Sequence, residues 1–106
     1  MEAETLEVAD TIRTQLGRKA LFMLGAKDLM GSAKERFLQF KIGRNAKSVS
    51  HIRITLTPAD TYTVTSYRAR RSKGVMQCKT LETYEDVYVD SLHQVIESLT
   101  GMYTSL

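Results

Sequence analysis

The chain has one cysteine, one proline and no tryptophan. Each shortage removes a class of protein. A lone thiol, Cys78, forbids an intrachain disulfide, so the fold is no disulfide-stapled scaffold. A single proline, Pro58, excludes a proline-rich linker or ligand segment. Long apolar runs are also missing. The longest, "ALFMLGA", is far short of the roughly 18 residues that suggest a membrane helix. The start, "MEAETLEVAD", is acidic and lacks the basic residues and apolar run of a signal peptide. These features predict a cytoplasmic protein with no membrane partner. There is no GxxxxGK[ST], GxGxxG or GxSxG pattern, so no phosphate loop or nucleophile elbow is indicated.

What remains is a chain of 106 residues, 42% hydrophobic and 25% charged. That composition fits one globular domain spanning 1–106. The net charge of +3 hides a strong segregation. Residues 1–16 hold Glu2, Glu4, Glu7 and Asp10 against Arg13 alone. Every other lysine and arginine lies in residues 17–81, against only Asp28, Glu35 and Asp60. Residues 82–106 hold Glu82, Glu85, Asp86, Asp90 and Glu97 and no cation. Either the acidic flanks neutralise the basic middle, or they leave it open to an anionic partner.

Periodicity gives the elements. Val8, Ala9, Ile12 and Leu16 recur at helical spacing, so residues 4–16 read as a helix stopped by Gly17. "KALFMLGA" is too short for its period to decide between strand and helix, and strand is the reading taken. "KDLMGSAKE" reads as a loop or single turn. In "RFLQFKI", "VSHIRITLT" and "TYTVTSYRA" apolar and polar residues alternate, as an antiparallel sheet with one buried face requires. "GVMQCKT" reads as one more strand, with Cys78 as a buried thiol. "GRNAKS", "TPAD" and "RSKG" carry turn chemistry. Tyr88, Leu92, Val95, Ile96 and Leu99 form a helical stripe, with Thr83 as its cap, Asp86 as a capping partner and Gly101 as its stop. The predicted fold is α+β: an N-terminal helix, an antiparallel meander of four to five strands, and a C-terminal helix packed on the sheet.

A meander puts successive turns at alternate ends of the sheet. "GRNAKS" and "RRSKG" therefore share one pole and bring Arg44, Lys47, Arg70, Arg71 and Lys73 together. Gly43, Asn45 and Gly74 there permit left-handed backbone and exposed N–H groups, which suit an anion. Gln39, Lys41, His51, Arg53, Thr55, Thr63, Thr65 and Tyr67 are expected on the solvent face. Lys41 and Arg53 extend the basic pole along it, with residue types suited to phosphate contact and stacking. Glu85, Asp86 and Asp90 form a candidate acidic patch for a protein partner. His51, His93 and Cys78 are too scattered for a metal site or a catalytic pair. No cofactor and no enzyme activity are expected.

The strings "LGRKALFMLGAKDLMG", "FKIGRNAKSVSHIRITLTPADTYTV" and "YVDSLHQVIESLTGMYTSL" resemble small proteins encoded by phages and plasmids. The likeness spans most of residues 15–106. It implies a mobile-element accessory protein acting in the cytoplasm of a host cell. Proteins of that kind often bind nucleic acid, or inhibit host defences such as CRISPR nucleases. The resemblance carries over no functional residue. The partners it implies are nucleic acid or a host nucleic-acid-binding protein complex, and a homodimer is compatible with either.

Overall fold

The structure, a computed structural model, describes residues 2–32 and 34–104. Two helices, α1 (Glu2–Leu16) and α2 (Arg18–Leu24), lead into five strands. These are β1 (Lys27–Ser32), β2 (Phe37–Lys41), β3 (His51–Leu56), β4 (Tyr62–Ser72) and β5 (Val75–Val87). A short 3-10 turn, Val89–Ser91, precedes α3 (Leu92–Thr100). The strands form one antiparallel sheet in the order β1-β2-β3-β4-β5, the sequential meander that the alternation predicted.

Alternation sets the two faces. Leu38 pairs with Ile54 and Phe40 with Ile52, while Ile54 pairs with Val64 and Ile52 with Ser66. These residues line one face and are buried. Ile12 and Leu16 of α1, Ala20 and Leu24 of α2, and Leu92, Ile96 and Leu99 of α3 close over it in a single core. Each fully buried aliphatic or aromatic side chain there is worth about 1.5–3 kcal/mol of transfer energy. Tyr62 also sits on this face, and its hydroxyl donates to the side-chain carbonyl of Gln15 on α1. Its burial pushes the phenol above its ordinary pKa. No helix among the described residues is long and apolar enough to cross a membrane.

Three expectations are corrected. "KALFMLGA" is helical as far as Leu24. Ala20 and Leu24, one turn apart, point into the core, whereas Phe22 is left 82% exposed. Gly25 ends that helix at φ 66, and its N–H and that of Ala26 bond back to Phe22 and Leu21. "KDLMGS" is not a loop but β1, an edge strand held by pairing with β2. Its side chains are mostly exposed, so its burial pattern carries no alternation.

The third correction concerns the C-terminal helix, which begins at Leu92 rather than at Thr83. Thr83 lies in β5 opposite Thr65, and Asp86 is a strand residue, so neither caps a helix. The stripe Leu92, Val95, Ile96 and Leu99 does pack on the sheet, and Gly101 stops the helix at φ 73. The tail folds back as far as Thr104, whose N–H and hydroxyl both donate to one carboxylate oxygen of Glu97, at 2.8 and 2.9 Å. Those two donors hold the Glu97 carboxyl below its ordinary pKa. The last residues of "MYTSL", 105 and 106, lie outside the described residues.

Candidate nucleic-acid interface

The second face of the sheet carries no helix. Register lays its side chains out in rows. Phe37, Thr55 and Thr63 form one row; Gln39, Arg53, Thr65 and Thr83 the next; Lys41, His51, Tyr67 and Thr80 the third. Ala69 with Cys78, then Arg71 with Met76, continue the face onto β4 and β5. The eight polar positions expected on this face are therefore together.

Arg53 organises the centre. Its guanidinium carbon lies 4.1 Å from the Phe37 ring centroid and 5.5 Å from that of Tyr67. Its Nε donates to Gln39 Oε1 at 2.9 Å. The arginine thus covers Phe37, which is only 6% exposed despite facing away from the helices. Beside it lies a depression of about 250 Å³ lined by Gln39, His51, Arg53, Tyr67, Ala69, Met76 and Cys78. Cys78 is exposed, which corrects its reading as a buried thiol. It lies on an edge strand beyond the reach of the helices. The His51 Nδ1 meets Ser50 Oγ at 2.7 Å. Burial first, and then the Lys41 ammonium, lower the His51 pKa, with Asp28 opposing them. The imidazole is therefore neutral at pH 7.

The β4–β5 hairpin extends beyond the rest of the sheet. The β3 register ends at His51 opposite Tyr67. Ser50 follows it with two bonds, from its N–H to the Tyr67 carbonyl and from the Ala69 N–H to its hydroxyl. Past that point Arg70 faces Gln77, Arg71 faces Met76 and Ser72 faces Val75, as a two-stranded ribbon. Lys73 and Gly74 close it at φ 52 and 78. Two successive positive φ values make a type I′ turn, whose twist matches the ribbon and which favours glycine at its second position. Arg70 and Arg71 project to opposite faces, because successive strand side chains alternate.

The "GRNAKS" loop shares that end, as the meander requires, but it is built for its own structure. The Asn45 side chain donates to the Gly43 and Val49 carbonyls and accepts from the Val49 N–H. The Gly43 N–H donates to the Leu24 carbonyl at 2.9 Å. The left-handed residue of the loop is Ser48, at φ 57, and not Gly43 or Asn45. The expected exposed amides are therefore already committed at Gly43 and Val49. Lys47 donates to the Ser98 carbonyl in the last turn of α3, where a cation complements the helix dipole. Arg44 is exposed.

Charge pairing decides whether the pole is neutralised. Among the described residues the ion pair is Arg13–Asp10, at 3.8 Å on α1. No described carboxylate pairs with Lys41, Arg44, Lys47, Arg53, Arg70, Arg71 or Lys73. The side chains of Glu2, Glu4 and Glu7 lie outside the described residues. Glu85 and Asp86 end β5 and Asp90 sits in the 3-10 turn, all three exposed. Their expected helical spacing does not exist, and they lie at the end of β5 remote from the Lys73–Gly74 turn. About ten strand residues separate the two ends, or roughly 33 Å. Among the described residues, no group of three or more histidine, cysteine or carboxylate side chains is placed to hold a metal ion.

The Phe37–Arg53–Tyr67 stack and the depression beside it were not foreseen. Alternation put Phe37 in register with Gln39 and Lys41, on the outward side of β2, and that apolar residue on a polar row was the available signal. No family model matches the chain, and no curated protein or solved structure matches it.

Proposed function

We propose that this chain is a non-catalytic nucleic-acid-binding protein of a phage or other mobile element, acting in the host cytoplasm. Its contact surface is the β4–β5 hairpin together with the open sheet face. One observation carries the reading: Arg70, Arg71 and Lys73 on the ribbon, and Lys41 and Arg53 behind it, have no described carboxylate partner. Cations without internal partners on one surface are the electrostatic footprint of a phosphate-binding site. The mobile-element setting rests on the sequence resemblance alone. The test is fluorescence anisotropy of a labelled oligonucleotide between about 50 and 200 mM salt, where affinity should fall steeply. Absence of binding at the lower salt refutes the proposal.

A second reading is favoured by the acidic end of β5. Glu85, Asp86 and Asp90 are exposed there and suit a protein inhibitor that occupies a phosphate-binding channel of a host nuclease. That reading requires a stoichiometric protein partner that survives nuclease treatment and is lost in the Glu85→Gln, Asp86→Asn, Asp90→Asn variant. Binding unaffected by those substitutions rules it out.

A further inference from the structure

We infer that the nucleic acid bound by this surface is single-stranded, with one unpaired base held in the depression beside Arg53. The inference rests on the nucleic-acid reading above and narrows it. A site that served only duplex phosphates would need cations on a complementary surface and nothing more. This face adds an apolar recess among them. Tyr67, Ala69, Met76 and Cys78 supply its apolar lining, and Tyr67 and the Arg53 guanidinium supply planar surfaces. Bases stack on both kinds of plane, and every base offers a π-face. In a duplex those faces are already stacked on their neighbours.

Two polar groups in the lining have capacity left for a base edge. Gln39 uses its Oε1 on Arg53, while its amide nitrogen has only a long contact, 3.8 Å, to the Met30 sulfur. His51 uses Nδ1 on Ser50, and Nε2 has no protein partner. Cations flank the recess on the same face. Lys41 stands opposite His51 in its row, and Arg71 stands opposite Met76 on the ribbon. A strand crossing from β2 to the ribbon meets a phosphate contact, a base pocket and a second phosphate contact in that order. The structural role of Arg53 in covering Phe37 explains the stack but not the recess beside it.

The experiment compares four ligands of one length under one salt condition: single-stranded RNA, single-stranded DNA, the corresponding DNA duplex, and a single strand with abasic sites throughout. The abasic strand keeps the phosphates and removes only the bases. Either natural single strand should bind about tenfold or more tightly than the duplex and the abasic strand, the scale of one base–aromatic stack. Which natural strand binds better identifies the sugar preferred. In Tyr67→Ala that advantage should vanish while the salt dependence stays, with circular dichroism confirming the fold. Equal binding of all four ligands overturns the single-strand inference and leaves the nucleic-acid reading standing. Binding of none overturns both.

Discussion

The hairpin offers the sharpest quantitative test. Arg70, Arg71 and Lys73 lie on a ribbon outside the core, so replacing all three with glutamine removes charge without removing packing. Substitutions at such positions usually move stability by no more than about 0.5 kcal/mol each. On a single strand each phosphate neutralised contributes about 0.7 to the slope of log K against log salt. Three lost contacts should flatten the slope by about 2. Counted from about 1 M salt, where the release of counterions no longer favours binding, that is roughly a hundredfold weaker binding at about 0.1 M. Anisotropy titrations at four or five salt concentrations measure both quantities. Lys47→Gln is the internal control. Its ammonium is held by the Ser98 carbonyl, so this variant should leave the slope nearly intact and cost about 0.3–1 kcal/mol of stability. A triple variant with the wild-type slope would falsify the assignment of the hairpin as the phosphate contact.

Three further outcomes check other parts of the structure. Gly25→Ala should lower the denaturant midpoint, since φ 66 costs a side chain roughly 1–2 kcal/mol; the added Cβ would also stand 3.4 Å from the Gly43 nitrogen, and an unchanged midpoint contradicts that junction. Cys78 should react completely with a thiol reagent in native buffer, and labelling that needs denaturant would contradict its exposed place on β5. His51 has a folded pKa below its ordinary 6.5, so its contribution to stability is present above that value and lost as pH falls through the folded one. The wild-type midpoint should therefore drop more between about pH 7 and about pH 5 than that of His51→Gln, and parallel curves would show that the histidine is not buried as described.

The legible part of the fold was the part with two distinguishable faces. β2, β3 and β4 each bury one side and expose the other, and their alternation survives in the sequence as Leu38–Phe40, Ile52–Ile54 and Tyr62–Val64. β1 and the far half of β5 are edge segments, whose place is set by backbone pairing rather than by burial. In "TLETYEDV" the leucine, glutamates and Thr83–Asp86 spacing mimic a helix start. Pairing with β4 overrides that local preference. It does so through a one-residue irregularity at Leu81, with the Ser66 hydroxyl bonded to the Glu82 backbone. The charge segregation and the shared pole were readable because they follow from turn order. The diversion of Lys47 to α3 and of the Gly43 amide to α2 was not, because both depend on contacts distant in sequence.

The overhang of the β4–β5 ribbon has an energetic consequence. Beyond Ser50 it has no third strand beside it, and two strands alone are marginally stable in water. Its amide hydrogens should exchange through local opening, at a free energy well below that of global unfolding, while those of β3 exchange only with the whole domain. The most basic segment of the chain is therefore also its softest. A strand of phosphates bridging Arg70, Arg71 and Lys73 pins that segment, and part of the binding energy goes into the pinning. The arm gains the ability to bend to the path of its ligand, and its protection from exchange becomes a direct reading of how tightly that ligand is held.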